Sequence, residues 1–174
     1  QMRAPCFPVD YSQAGANIEF DLMTPGKKHF IAGMNVIPKL QLHNGDSFGY
    51  RFESIDRTVV YSTDSEHKLD DLLAYESFIE FFAGADLVVF DAMYSLAEAA
   101  SVKSDWGHSS NVIGVELCQA ARVRKLALFH HEPVSDDMQL SRVLAESRRL
   151  EQLTRGKQPA LEVHSAYDGL TIEL

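Results

Sequence analysis

His43, Asp64, His108 and His130 each stand at or just beyond the end of an apolar run rich in β-branched or aromatic residues, in four segments spread over half of the 174 residues. Imidazole and carboxylate are ligands of Zn, Mn and Fe, and strand ends that converge on one rim of a sheet bring such groups together from distant positions. The chemistry such a group would support is metal-assisted hydrolysis, in which a cation acidifies a bound water and clamps the oxygens of the bond being cut. No other stretch carries a dense group of His and Asp, so the ligand set read here falls short of a full dinuclear site.

Taken singly, each residue has a plainer reading. His43 ends QLH and is followed by Asn44-Gly45, a sharp turn that presents the imidazole at a rim but equally suits a solvated turn histidine. Asp64 follows VVYST, where a carboxylate at a strand tip can bridge two cations or simply form a turn. His108 lies in DWGHSS, between Gly107 and a Ser pair able to cap the helix that follows. An anion at that helix start would meet backbone N–H groups, the positive end of the dipole and a proton-donating imidazole; the bland alternative is a serine cap with an exposed neighbour. His130 and His131 follow KLALF, and adjacent residues of an extended chain point to opposite sides, so one at most faces a given metal.

The elements that must position these residues fall into two textures. From about Asn17 to Asp64 the apolar residues alternate or bunch in IEFDL, KHFIAG, VIPKLQL, FGYRFESI and TVVYST, broken by Pro25-Gly26, Gly33, Asn44-Gly45 and Asp56-Arg57, which predicts a mostly antiparallel meander. From Leu69 the pattern becomes helix (LDDLLAYESFIEFFAG), strand (DLVVFDA), helix (NVIGVELCQAARV), strand (KLALFHH) and helix (MQLSRVLAESRRLEQL), a sheet with helices on one face. Asp136-Asp137 and Gly156 supply the acidic start and glycine stop of the last helix. PALEVHSA and LTIEL, joined through Tyr167-Asp168-Gly169, are expected to close the fold as a pair of strands.

Composition sets the frame. With 45% hydrophobic residues the chain can bury one core, and with neither internal repeat nor low-complexity linker residues 1–174 are expected to form a single domain. A net charge of −9 argues against broad binding to nucleic acid or an anionic membrane. Cys6 and Cys118 show no CxxC spacing, and no secretory leader or long apolar span is read, so the expectation is a cytoplasmic protein with reduced thiols.

LHNGDSFGYRFE, VVYSTDSEH, ADLVVFDAMYS, DWGHSSNVIGVELC and KLALFHHEP, in this order, resemble the later motifs of the metallo-β-lactamase-fold hydrolases, nearest the branch of tRNA 3′-processing endonucleases, cyclic-nucleotide phosphodiesterases and phosphoribosyl cyclic phosphodiesterase. The resemblance runs over nearly the whole chain and implies an α/β (α+β) fold, the αββα sandwich. It implies that His43, Asp64 and His130 are metal ligands, Asp64 being the bridging carboxylate. By the same resemblance His108, with Asp64, is catalytic: it contacts the scissile phosphate of a small phosphodiester and protonates the leaving oxygen. The implied cofactor is a divalent metal, Zn first and Mn or Fe otherwise. Asp91 and Tyr94 fall where the endonucleases have a His-Glu pair, a departure that bears on the proton relay of that subgroup.

The larger departure is that the family's HxHxDH segment, source of most ligands, does not occur in the sequence. The expectation is therefore the C-terminal portion of a metallo-β-lactamase-like fold, incomplete at its N-terminal side, with a partial site that need not hold its cation alone. The alternative is a degenerate, non-catalytic module acting in assembly or regulation. A sheet lacking its facing strands would leave apolar side chains wet at about 1.5–3 kcal/mol each, so the missing segment, a rearranged sheet or, preferably, a second copy of the chain is expected to cover it.

Overall fold

Alternation of apolar residues along four neighbouring strands places one unbroken row in the centre of the molecule. In a computed structural model, which describes residues 5–13, 15–68, 71–95 and 106–174, Val60, Val88, Leu126 and Val163 stand side by side in register, all buried. They belong to a seven-stranded sheet in sequence order: β1 (His29–Ile31), β2 (Met34–Gln41), β3 (Ser47–Glu53), β4 (Thr58–Ser62), β5 (Leu87–Asp91), β6 (Lys125–Phe129) and β7 (Glu162–Ser165). The first four are antiparallel neighbours and the last four parallel ones. The meander and the strand–helix alternation are both present.

Three helices lie among the described residues: α1 (Leu72–Phe82), α2 (Asn111–Ala120) and α3 (Asp137–Thr154). Phe78, Phe81 and Phe82 of α1 and Val115, Leu117 and Cys118 of α2 share one buried cluster with the central row. Fully burying side chains of this size stabilises by about 1.5–3 kcal/mol each. Local signals fix the helix ends. Ser110 caps α2, accepting from the Ile113 N–H; Asp136 and Gln139 form a reciprocal capping box on α3; and Gly156 takes φ +58 just past its end. Arg51 of β3 donates to the carbonyls of Phe81 and Ala83 at 3.0 and 3.1 Å, satisfying the C-terminal end of α1.

Two expected strands are not strands. IEFDL stays outside the sheet with Phe20 76% and Leu22 96% exposed, and LTIEL runs on without pairing to β7. An alternating pattern becomes a strand only where a partner edge is available; β1 pairs with β2 and β7 with β6, and neither segment docks on the remaining edge. The sheet face away from the helices carries Leu40, Phe48, Tyr61 and Phe129, each 36% exposed or more. No helix among the described residues is long and apolar enough to cross a membrane.

Candidate metal centre

Because β3 runs antiparallel to both its neighbours, β2 points the same way as β4, β5 and β6, and the C-terminal ends of these four strands share one edge of the sheet. His43 lies two residues past β2, Asp64 two past β4, Asp91 closes β5 and His130 follows β6 directly. His108 arrives from the segment before α2. Loops leaving the carboxyl ends of parallel strands are the usual place for a site in an open α/β sheet.

All four residues expected from the sequence meet there. Asp64 Oδ1 is 3.2 Å from His130 Nε2, the His108 and His130 ring centroids are 4.9 Å apart, and those of His43 and His108 are 5.1 Å apart at 73°. Two overlapping trios, His43–Asp64–His108 and Asp91–His108–His130, each offer ligand atoms within 4.8 Å of one another. Ligands held about 2.0–2.1 Å from a tetrahedral cation stand about 3.4 Å apart, a spacing that Asp64 and His130 already have. The donor set of imidazoles and carboxylates suits Zn, Mn or Fe.

Backbone geometry is bent to this end. Asp64 and His130 take φ +52 and +59, the left-handed region, which for a non-glycine residue costs about 1 kcal/mol or more. Gly107, at φ +89, lies against His43: a Cβ there would come within 2.7 Å of His43 Cδ2 and 3.2 Å of its Cα. His131 points the other way, its Nε2 3.1 Å from Ser165 Oγ of β7, and burial lowers its pKa.

Asp91 acts at this rim as the partner that holds His108. Its buried carboxylate accepts from His108 Nδ1 at 2.7 Å and from the backbone N–H groups of Ser65 (3.2 Å) and Met93 (3.1 Å). Burial holds its carboxyl above the ordinary range, against the pull of the His108 bond. Despite the departure from the endonuclease pattern at this position, a carboxylate–imidazole pair is present. The signal is in the sequence, since Asp91 follows the run LVVF as Asp64 follows VVYST.

The beta-lactamase superfamily domain model matches residues 13–131. The chain belongs to this family. Among solved structures it is similar to the metallo-beta-lactamase fold protein YhfI from Bacillus subtilis, with 19% identity and a TM-score of 0.67 over 85% of this chain and 53% of that one. Human tRNase Z, short form, shares 18% identity at a TM-score of 0.54, over 82% and 44% of the two chains. CmlA, a diiron beta-hydroxylase from Streptomyces venezuelae, shares 12% at 0.50, over 80% and 32%. At these identities the likeness is one of fold, the metallo-β-lactamase fold. The chain spans about half the length of the first two of these proteins. No curated protein sequence matches it.

Proposed function

We propose that the chain carries part of the active site of a metal-dependent phosphodiester hydrolase, in which His43, Asp64 and His130 hold a divalent cation, Zn before Mn or Fe, and His108 acts on the phosphate. The observation that supports it most is the meeting of His43, Asp64, His108 and His130 from four separate loops at one rim, with Asp64 and His130 3.2 Å apart and two trios sharing His108 whose ligand atoms lie within 4.8 Å of one another. Similarity to human tRNase Z, whose name denotes action on tRNA, favours a phosphodiester over other bonds. The net charge of −9 favours a small phosphodiester over a long nucleic acid.

When bound, the cation would supply Lewis-acid polarisation and an acidified water. The chain's own residues do the rest. Asp91 fixes Nδ1 of His108 and so turns Nε2 toward whatever the rim binds, where it can bond a phosphate oxygen and pass a proton to the leaving oxygen. α2, capped by Ser110, begins three residues beyond His108, which puts the positive end of its dipole close to that imidazole in sequence. The sequence lacks HxHxDH, so fewer ligands are present than the superfamily's full set.

The test is titration with Zn, Mn and Fe, with bound ion counted after dialysis, alongside turnover of bis(4-nitrophenyl) phosphate. Bound ion and turnover are expected, with His108→Ala keeping the ion and losing about 10²–10⁴-fold in rate. Failure to retain any ion refutes the metal centre. An ion without turnover refutes hydrolysis by this chain alone and leaves a metal-binding module whose catalysis needs the ligands it lacks.

A further inference from the structure

We propose that Ser65, His67 and Ser109 form a clasp that sets the distance between Asp64 and His108, which makes them positioning residues of the metal centre; the inference rests on the reading above. Asp64 and His108 come from loops 44 positions apart in the sequence, yet the residues that follow each of them interlock. Ser109 Oγ donates to the Ser65 carbonyl at 2.8 Å, accepts from the His67 N–H at 3.1 Å, and lies 2.7 Å from His67 Nδ1.

A hydroxyl has one proton. With that proton given to Ser65, the short approach to Nδ1 requires His67 to carry its hydrogen there, as donor. Nε2 is then the acceptor, 3.5 Å from Ser65 Oγ. The ring is wedged among Phe78, Phe90 and Phe82, with centroid distances of 4.2, 4.9 and 6.4 Å, so it cannot swing away from Ser109.

Two further bonds run across the same seam. The Gly107 N–H donates to Glu66 Oε2 at 3.2 Å, and the Ser65 N–H donates to Asp91, the carboxylate that holds His108. Asp64 stands at one end of this zipper and His108 on its other side, flanked by Gly107 and Ser109. Among the described residues, Ser109 is the one whose side chain ties both Ser65 and His67, and it is buried. Its loss would free the two loops to slide by the fraction of an ångström that decides whether ligand atoms converge.

The experiment compares the chain with Ser109→Ala, Ser109→Thr, His67→Gln and Val163→Ala, the last a core change on β7 away from the seam. Co(II) is the probe, followed by its d–d absorption and by competition with a chromophoric chelator. Metal-free protein is compared by the nuclear Overhauser effect between the His43 and His108 rings. Ser109→Ala and His67→Gln are expected to weaken Co(II) binding about 10–100-fold and to abolish the Overhauser effect between the rings. Ser109→Thr, which keeps the hydroxyl, recovers both, and Val163→Ala retains both wherever it is folded. An Overhauser effect unchanged in Ser109→Ala overturns the clasp whatever the metal does. Rings that separate while Co(II) affinity stays at the parent value overturn its role in the site. A wild-type chain that takes up no Co(II) refutes the metal reading instead, and the ring proximity then decides the clasp alone.

Discussion

His67 gives a pH dependence of stability whose size follows from its surroundings. The imidazole is enclosed by Phe78, Phe82 and Phe90, and burial pushes its pKa from 6.5 down to about 3. In the unfolded chain it takes a proton as pH falls through 6.5; in the folded protein it stays neutral. The unfolded state therefore binds more protons below 6.5, and stability present above that pH is lost progressively toward 3. Below the unfolded pKa each pH unit removes at most about 1.4 kcal/mol, so from pH 6.5 to 4.5 the loss attributable to His67 is about 2 kcal/mol, a large share of a domain's usual margin. Urea unfolding, followed by Trp106 fluorescence with chelator present, measures it when the chain and His67→Gln are run in parallel from pH 7 to 4.5. Carboxylates and His131 titrate in both proteins and cancel in the difference. The stability advantage of the parent chain should shrink by about 2 kcal/mol across the window. Two curves that stay parallel would refute the assignment of a buried, neutral His67.

Gly107→Ala drives a Cβ to within 2.7 Å of His43 Cδ2 at a positive φ and is expected to cost about 1–3 kcal/mol and weaken Co(II) binding at least tenfold, read by melting and by titration. Gly114→Ala meets the Phe90 ring at 2.7 Å in the packing of α2 on β5, so it should cost about 1–3 kcal/mol while leaving Co(II) affinity unchanged. Asp64→Asn should abolish Co(II) uptake, whereas Asp91→Asn should weaken it about 10–100-fold; the reverse order would refute the roles given to the two carboxylates. Coverage of the outer sheet face by a second copy predicts a concentration-dependent mass in sedimentation that Tyr61→Glu lowers, and a monomer throughout the micromolar range excludes it.

The parallel half of the sheet was readable because its signals are local. DLVVFDA and KLALF are short β-branched or apolar runs, and α3 carries both its acidic cap and its glycine stop. IEFDL has the same alternation as a strand but no edge to join, and partner availability is not written in five residues. The rim residues are legible as strand-end His and Asp, and Asp91 stands at the same kind of place, closing β5. The left-handed backbone at His130 has no marker in its side chain. The clasp was out of reach for a different reason: His67 and Ser109 are 42 positions apart, and only the packing of α1 and α2 on the same face brings them together.

Asp64 and Asp91 show why a place at a strand end does not by itself decide what a carboxylate does. They leave neighbouring parallel strands at the same edge. Asp91 is fully buried and receives three donors, two from the backbone and one from His108, so at most one of its roughly four lone-pair sites remains. Its charge is spent on holding the 65–67 loop and the His108 ring in place. Asp64 has a side chain 45% exposed, with His130 at 3.2 Å and the Thr63 hydroxyl at 3.4 Å, and its left-handed backbone is anchored by Ser47 donating to its carbonyl at 2.6 Å. A cation can use only lone pairs that the fold has not already given to N–H groups. In the proposed site the ligands are thus the acids and imidazoles left under-satisfied, and the satisfied ones are what keep them there.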